Sequence, residues 1–148
     1  MSEILVRDFL PADQAAAAEL INAGLGKRFG VRDDTKNADL YDIAASYAED
    51  CFVVALLEGE LVGTGGMIFE SQLVTRLVRM HTAETFRRRG IGSAIIAELE
   101  ARARAHGVRE VLLETEIDWH DAHAFYRASG YVEFRHNAYG IRFHKLIS

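Results

Sequence analysis

The sequence predicts an α/β fold, a mixed and mostly antiparallel sheet of about seven strands flanked by about four helices. Three observations lead there. Short apolar runs, each bounded by turn residues, recur along the whole chain. Two segments, Ile91–His106 and Asp121–Ser129, carry apolar residues at helical spacing. The strand–helix–strand passage from residue 73 to residue 115 has the length of a parallel crossover, whereas the connections around it suit hairpins. The chain has 148 residues, the size of one ordinary domain, and no linker, repeat or low-complexity segment divides it.

Taken in order, Ile4–Phe9 suits a strand, and Pro11 favours a turn or a first helical turn. The alanine-rich stretch Asp13–Ala23 reads as a helix that Gly24, Gly26 and Gly30 should break. A second helix is expected over Asp39–Tyr47. Cys51–Leu57 is an apolar strand, with Cys51 expected to be a buried thiol, and Glu58-Gly59-Glu60 is a hairpin signal leading into Leu61–Phe69. Leu73–Thr82 completes a meander. Along Ile91–His106, residues 91, 95, 99 and 103 form one apolar stripe, Glu98–Arg102 and Glu100–Arg104 are i,i+4 pairs expected on the wet side, and Gly107 is placed to cap the end. Strands over Val108–Thr115, Tyr131–Arg135 and Tyr139–Leu146 and the helix Asp121–Ser129 complete the order β-α-α-β-β-β-α-β-α-β-β.

Composition excludes several classes. Nearly half the residues are hydrophobic and a quarter are charged, a globular mixture. The net charge of −5 is the wrong sign for a general nucleic-acid binder. One cysteine allows no internal disulfide, the N-terminal residues lack a signal-peptide pattern, and no segment has the ~20 apolar residues of a membrane span. A cytoplasmic protein that binds neither nucleic acid nor membrane is the expectation. The late strands could pair across a homodimer.

Against this acidic background, Arg87-Arg88-Arg89 is a run of three cations, followed at once by Gly90-Ile91-Gly92-Ser93 at the start of a helix. The first amides of a helix have no internal partner, and the helix dipole adds about half a positive charge there. Glycines let an anion approach the backbone, guanidinium groups add charge-assisted hydrogen bonds, and Ser93 adds a hydroxyl. The pattern suits a diphosphate. A dinucleotide site of the Rossmann type, with Glu114 on the ribose, fits less well because Ile95 occupies the third glycine position and the second mononucleotide half is missing. No Walker sequence occurs. His120 and His123 share a helical spacing, but two ligands are too few for a metal site.

With these residues in view, the chain resembles the GNAT superfamily of N-acetyltransferases. Arg87-Arg88-Arg89-Gly90-Ile91-Gly92 matches the family's Gln/Arg-x-x-Gly-x-Gly/Ala signature, and Ala122-His123-Ala124-Phe125-Tyr126-Arg127-Ala128-Ser129-Gly130-Tyr131 is similar to its Ala-x-x-Phe-Tyr-x-x-x-Gly-Phe motif. The element order agrees from residue 4 to residue 146, so the resemblance implies one acetyl-CoA-binding domain over residues 1–148. It implies a GNAT-like fold and acetyl-CoA as acyl donor. Met80, His81 and Thr82 would lie along the pantetheine arm, with the Met80 amide polarising the thioester carbonyl. Arg87, Arg88, Arg89, Gly90, Ile91, Gly92 and Ser93 would cradle the pyrophosphate. Tyr126 would contact the cofactor and protonate the departing thiolate, a transfer from a phenol of pKa near 10 to a thiol near 8.5. Two positions depart from the family pattern: Trp119 stands where asparagine is frequent, and Arg76 where some members place a glutamate base.

The implied activity moves an acetyl group to a primary amine of a small molecule or peptide, by direct attack in a ternary complex. The alternative is a non-catalytic sensor of acyl-CoA. A lysine-like amine is neutral only ~1 time in 2,500 at pH 7, so its proton must be removed. Glu114 and Glu116 are the leading candidates for a water-relayed base, with His81, His120 and His123 nearby in the expected order. Arg28, Phe29, Tyr41, Arg76 and Arg79 are candidate acceptor contacts, and arginines there would suit a carboxylate on the acceptor.

Overall fold

A computed structural model describes residues 3–147. It has seven strands in one mixed sheet: β1 (Ile4–Asp8), β2 (Cys51–Leu57), β3 (Glu60–Phe69), β4 (Val74–Thr82), β5 (Glu110–Glu116), β6 (Val132–His136) and β7 (Gly140–Leu146), in the spatial order β1-β2-β3-β4-β5-β7-β6. Four helices accompany them: α1 (Gln14–Phe29), α2 (Ile43–Ser46), α3 (Ile91–Ala105) and α4 (His120–Ala128). Only β4 and β5 pair in parallel among the registers seen at the far end of the sheet, as the crossover through α3 requires, while β5–β7 and β6–β7 are antiparallel.

The chain divides into two compact units. One takes the chain up to Gly66 together with Arg79–Leu99; the other takes Met67–Val78 and the chain from Glu100 onward. In the first, β1 pairs antiparallel with β2, and the core gathers Ala17 and Ile21 of α1, Ile43 of α2, Val53 and Val54 of β2 and Val62 of β3, each with no exposed surface. Ile91, Ile95 and Leu99 of α3 are likewise buried, and Ala103 continues the stripe into the second unit, as the spacing predicts. In that second unit the core is built on Val111, Leu113, Tyr131 and Phe143. Glu58 and Gly59 both have positive φ, so β2 and β3 are joined by the tight two-residue turn expected from Glu-Gly.

Four expectations fail locally. The first helix does not stop at Ala23 but runs through Gly24 and Gly26 to Phe29. A Cβ on Gly24 would lie 2.9 Å from the His81 Nδ1, so this glycine permits a close approach to β4 rather than ending the helix. The second helix is split into a 3₁₀ turn (Ala38–Tyr41) and the four-residue α2, because Asp42 leaves the helical region and caps the Ala45 amide at 3.1 Å. Glu100 is not on a wet face: it is 5% exposed and bonded internally. Cys51 is half-buried.

Candidate active site

Strand β4 ends at Thr82 and a 3₁₀ turn (Glu84–Phe86) leads into the arginine run. Arg88 and Gly90 both sit in the left-handed region, at φ 65° and 82°, with Arg89 between them. Left-handed residues in such a loop can turn successive amides toward one side, as in anion-binding nests. Helix α3 then starts at Ile91, its first internal bond running from the Ala94 amide to the Gly90 carbonyl at 3.0 Å. Arg87, Arg88, Arg89, Gly90 and Ser93 are all exposed. Beyond Arg89 and Ile91 on either side, no atom lies within 4 Å of where a Gly90 Cβ would stand, so the space beside this glycine is open. Arg89 lies 5.4 Å from the Phe86 ring centre, which orients its guanidinium without neutralising it. Open backbone, a fifteen-residue helix dipole and exposed cations together fit a diphosphate.

The same unit carries β4's last residues. Arg79 adopts φ 54° inside the strand, a conformation costing about 1–3 kcal/mol for a non-glycine residue. Its guanidinium binds both carboxylate oxygens of Asp39, at 2.7 and 3.0 Å, and the Asn37 Oδ1 at 3.2 Å. Tyr47 donates to the same carboxylate at 2.6 Å. Burial opposes the charge on Asp39, yet the guanidinium and the phenol hold its carboxyl below the usual range. Burial and the bond to Asp39 together push the Tyr47 phenol upward. Two residues on, burial drives the His81 imidazole down to about 4, reinforced by the charges of Arg79, Arg28 and Arg87. His81 is therefore neutral at physiological pH. Arg28 is half-buried near the end of α1, while Phe29 and Tyr41 are 57% and 63% exposed.

In the other unit, Tyr126 is 8% exposed on α4, its ring against Tyr131 and Phe143 with centroids 6.0 and 6.4 Å away. The helix-end bonds from the Tyr131 and Gly130 amides to the Tyr126 and Arg127 carbonyls, both 3.0 Å, fix this turn. Glu114 and Glu116 are on the exposed side of β5, and Glu114 pairs with Arg142 at 3.1 Å. His123 is 3% exposed, with its Nε2 2.9 Å from the Glu116 carbonyl, which occupies one ring nitrogen structurally. Arg76 is paired with Glu70.

Of the residues singled out in the sequence, the structure thus gathers Arg28, Arg79, Met80, His81 and the Arg87–Ser93 loop in one unit, and Arg76, Glu114, Glu116 and Tyr126 in the other. Arg76 and Arg79, considered for a carboxylate on the acceptor, already have internal carboxylate partners. Asp39 and Thr64, whose hydroxyl donates to the Arg79 carbonyl at 2.8 Å, were not singled out. Nothing in a linear reading pairs residues 40 or 15 positions apart.

Solved structures share this mixed sheet and its helices. An acetyltransferase of the GNAT family from Staphylococcus aureus Mu50 superposes with TM-score 0.88 at 17% identity, covering 99% of this chain and 100% of that one. The PaiA N-acetyltransferase of Thermoplasma acidophilum, crystallised with coenzyme A, gives 0.85 at 16% identity over 97% and 99%. The ribosomal-protein-alanine N-acetyltransferase of Brucella melitensis gives 0.77 at 20% identity over 96% and 99%. No curated protein sequence matches the chain. The profile of the acetyltransferase (GNAT) family matches residues 15–131, and the chain belongs to that family.

Proposed function

We propose that this protein transfers the acetyl group of acetyl-CoA to a primary amine of a small molecule or peptide, within a ternary complex. The observation that carries the reading is the loop Arg87–Ser93, with its left-handed Arg88 and Gly90 and the open space beside that glycine. A pyrophosphate there would be held by the amides of Ile91, Gly92 and Ser93 and by the guanidinium groups of Arg87, Arg88 and Arg89. Membership of a family with coenzyme A-bound relatives supports the donor. The amine nitrogen bonds to the acetyl carbon, the C–S bond breaks, and the thiolate takes a proton. The Met80 amide is assigned to the thioester carbonyl oxygen and Tyr126 to the departing thiolate, both on the positions of the family motifs.

The amine's proton leaves by another path than His81. With His81 at about 4, accepting a proton from an ammonium of pKa ~10.4 would be uphill by about 9 kcal/mol. Binding the amine already neutral costs only about 4.6 kcal/mol at pH 7. We therefore assign proton removal to solvent, with Glu116 and Glu114, the latter paired with Arg142, as the proposed relays. The acceptor's charge is left open by Arg76 and Arg79, whose guanidinium groups are engaged.

Thiol release from acetyl-CoA against a panel of amines tests the reading, with Tyr126→Phe as control. Wild type should turn over at least one amine, with kcat/KM rising with pH toward the amine's pKa, and Tyr126→Phe should lower kcat by ~10²-fold or more. Tight binding of acetyl-CoA without turnover on a broad panel would favour an acyl-CoA sensor instead.

A further inference from the structure

Inside β4 one peptide unit is held in an unusual way. Arg79 is left-handed at φ 54° between residues that continue the strand, a departure from the extended backbone on either side. Its carbonyl oxygen accepts a hydrogen bond from the Thr64 hydroxyl at 2.8 Å. Thr64 itself has no exposed surface, and the Arg79 carbonyl is its hydrogen-bond partner in β3's interior. The peptide joining Arg79 to Met80 is trans. In a planar trans peptide the carbonyl oxygen and the following N–H point in opposite directions from one rigid plane. Whatever fixes the Arg79 oxygen therefore fixes the aim of the Met80 amide. A hydroxyl that rotates about its C–O bond can meet a carbonyl turned by a left-handed residue.

The other end of Arg79 is anchored too. Its guanidinium is clamped by Asp39 and Asn37, and Asp39 is held in turn by the Tyr47 hydroxyl. Residue 79 is thus pinned through its backbone by Thr64 and through its side chain by Asp39, leaving the next peptide little freedom to tilt.

We propose that Thr64 is a positioning residue for thioester activation: by holding the Arg79 carbonyl, its hydroxyl aims the Met80 amide at the carbonyl oxygen of the acetyl group. The inference rests on the acetyl-transfer reading above. An oxyanion donor is effective only when aimed at the oxygen's position, and deleting one costs ~10²–10³-fold in kcat; a misaimed donor should cost ~10- to 100-fold.

Acetyl-CoA carrying ¹³C in the thioester carbonyl gives a readout that needs no acceptor. On binding to wild type, the carbonyl stretch should move to lower frequency as the amide polarises it. Thr64→Val keeps the buried shape and removes the donor; bound acetyl-CoA should then lose most of that displacement, and its dissociation constant should stay within about 2-fold. Thr64→Ser should restore the wild-type frequency and kcat. Thr64→Cys, with a weak donor, should fall between and serves if the valine variant does not fold. A wild-type frequency in both the valine and cysteine variants overturns the role of Thr64 and leaves acetyl transfer standing. No saturable binding of acetyl-CoA by wild type overturns the acetyl-transfer reading and this inference with it.

Discussion

Two charged regions of this protein use their ions in opposite ways. Around Glu100 the charges are closed in: the carboxylate is 5% exposed, receives the Lys145 ammonium at 3.0 and 3.1 Å and the Tyr131 hydroxyl at 2.8 Å, and the ammonium also donates to the Ser129 carbonyl at 3.0 Å. Around residues 87–93 the cations face outward from an exposed loop. A buried ion needs every partner in place because its water is gone, so removing one is expensive. An exposed cation keeps its water and adds little to stability, but it remains available to an anion. The first arrangement holds the fold together, and the second is the one we propose for a ligand.

The largest effects should come from the closed network. Lys145→Met, which leaves the buried Glu100 carboxylate without its ammonium, should lower the unfolding free energy by about 3–5 kcal/mol in denaturant titration. Arg88→Asn retains a residue tolerant of the left-handed region and deletes the charge, so it should change stability by no more than about 0.5 kcal/mol while weakening CoA binding. Comparable stability losses in both variants would erase the distinction between the regions.

A smaller effect concerns His81, which lies between the strained strand and the loop. Its folded-state value of about 4 is below the ordinary 6.5, so between those values the unfolded chain binds more protons than the folded one. Its contribution to stability is complete above about 6.5 and is lost as pH falls toward 4. Ring-proton NMR should find the imidazole neutral at pH 6, with a midpoint near 4 that rises when CoA phosphates offset Arg87 and Arg28. A midpoint near 6.5 in the free protein would remove His81 from the buried, arginine-flanked environment described for it.

What could be seen in the sequence was whatever local chemistry decides. The 91-95-99-103 stripe, the Glu58-Gly59 turn and the Arg-Arg-Arg-Gly-x-Gly loop depend on residues within one or two turns of each other, and all three appear at their expected places. Tertiary contacts decided the rest. Gly24 looks like a helix breaker until His81 is seen packed against it. Glu100 looks like a surface partner of Arg104, yet Lys145, far along the chain, is nearer: 3.0 Å against 3.7 Å. Arg79 looks like a free substrate contact, although Asp39 occupies it, and no periodicity announces a left-handed residue inside a strand. The role given to Thr64 is invisible from sequence for the same reason.

In the proposed function the loop before α3 grips paired phosphates, and isothermal titration of the purified protein with CoA and with pantetheine, which lacks the phosphates and the adenosine they carry, tests this. CoA should bind saturably, more weakly as salt rises and more weakly to Arg88→Asn, and pantetheine should bind at least ~10-fold more weakly than CoA. Equal affinities for the two ligands, or no heat with CoA, would contradict it.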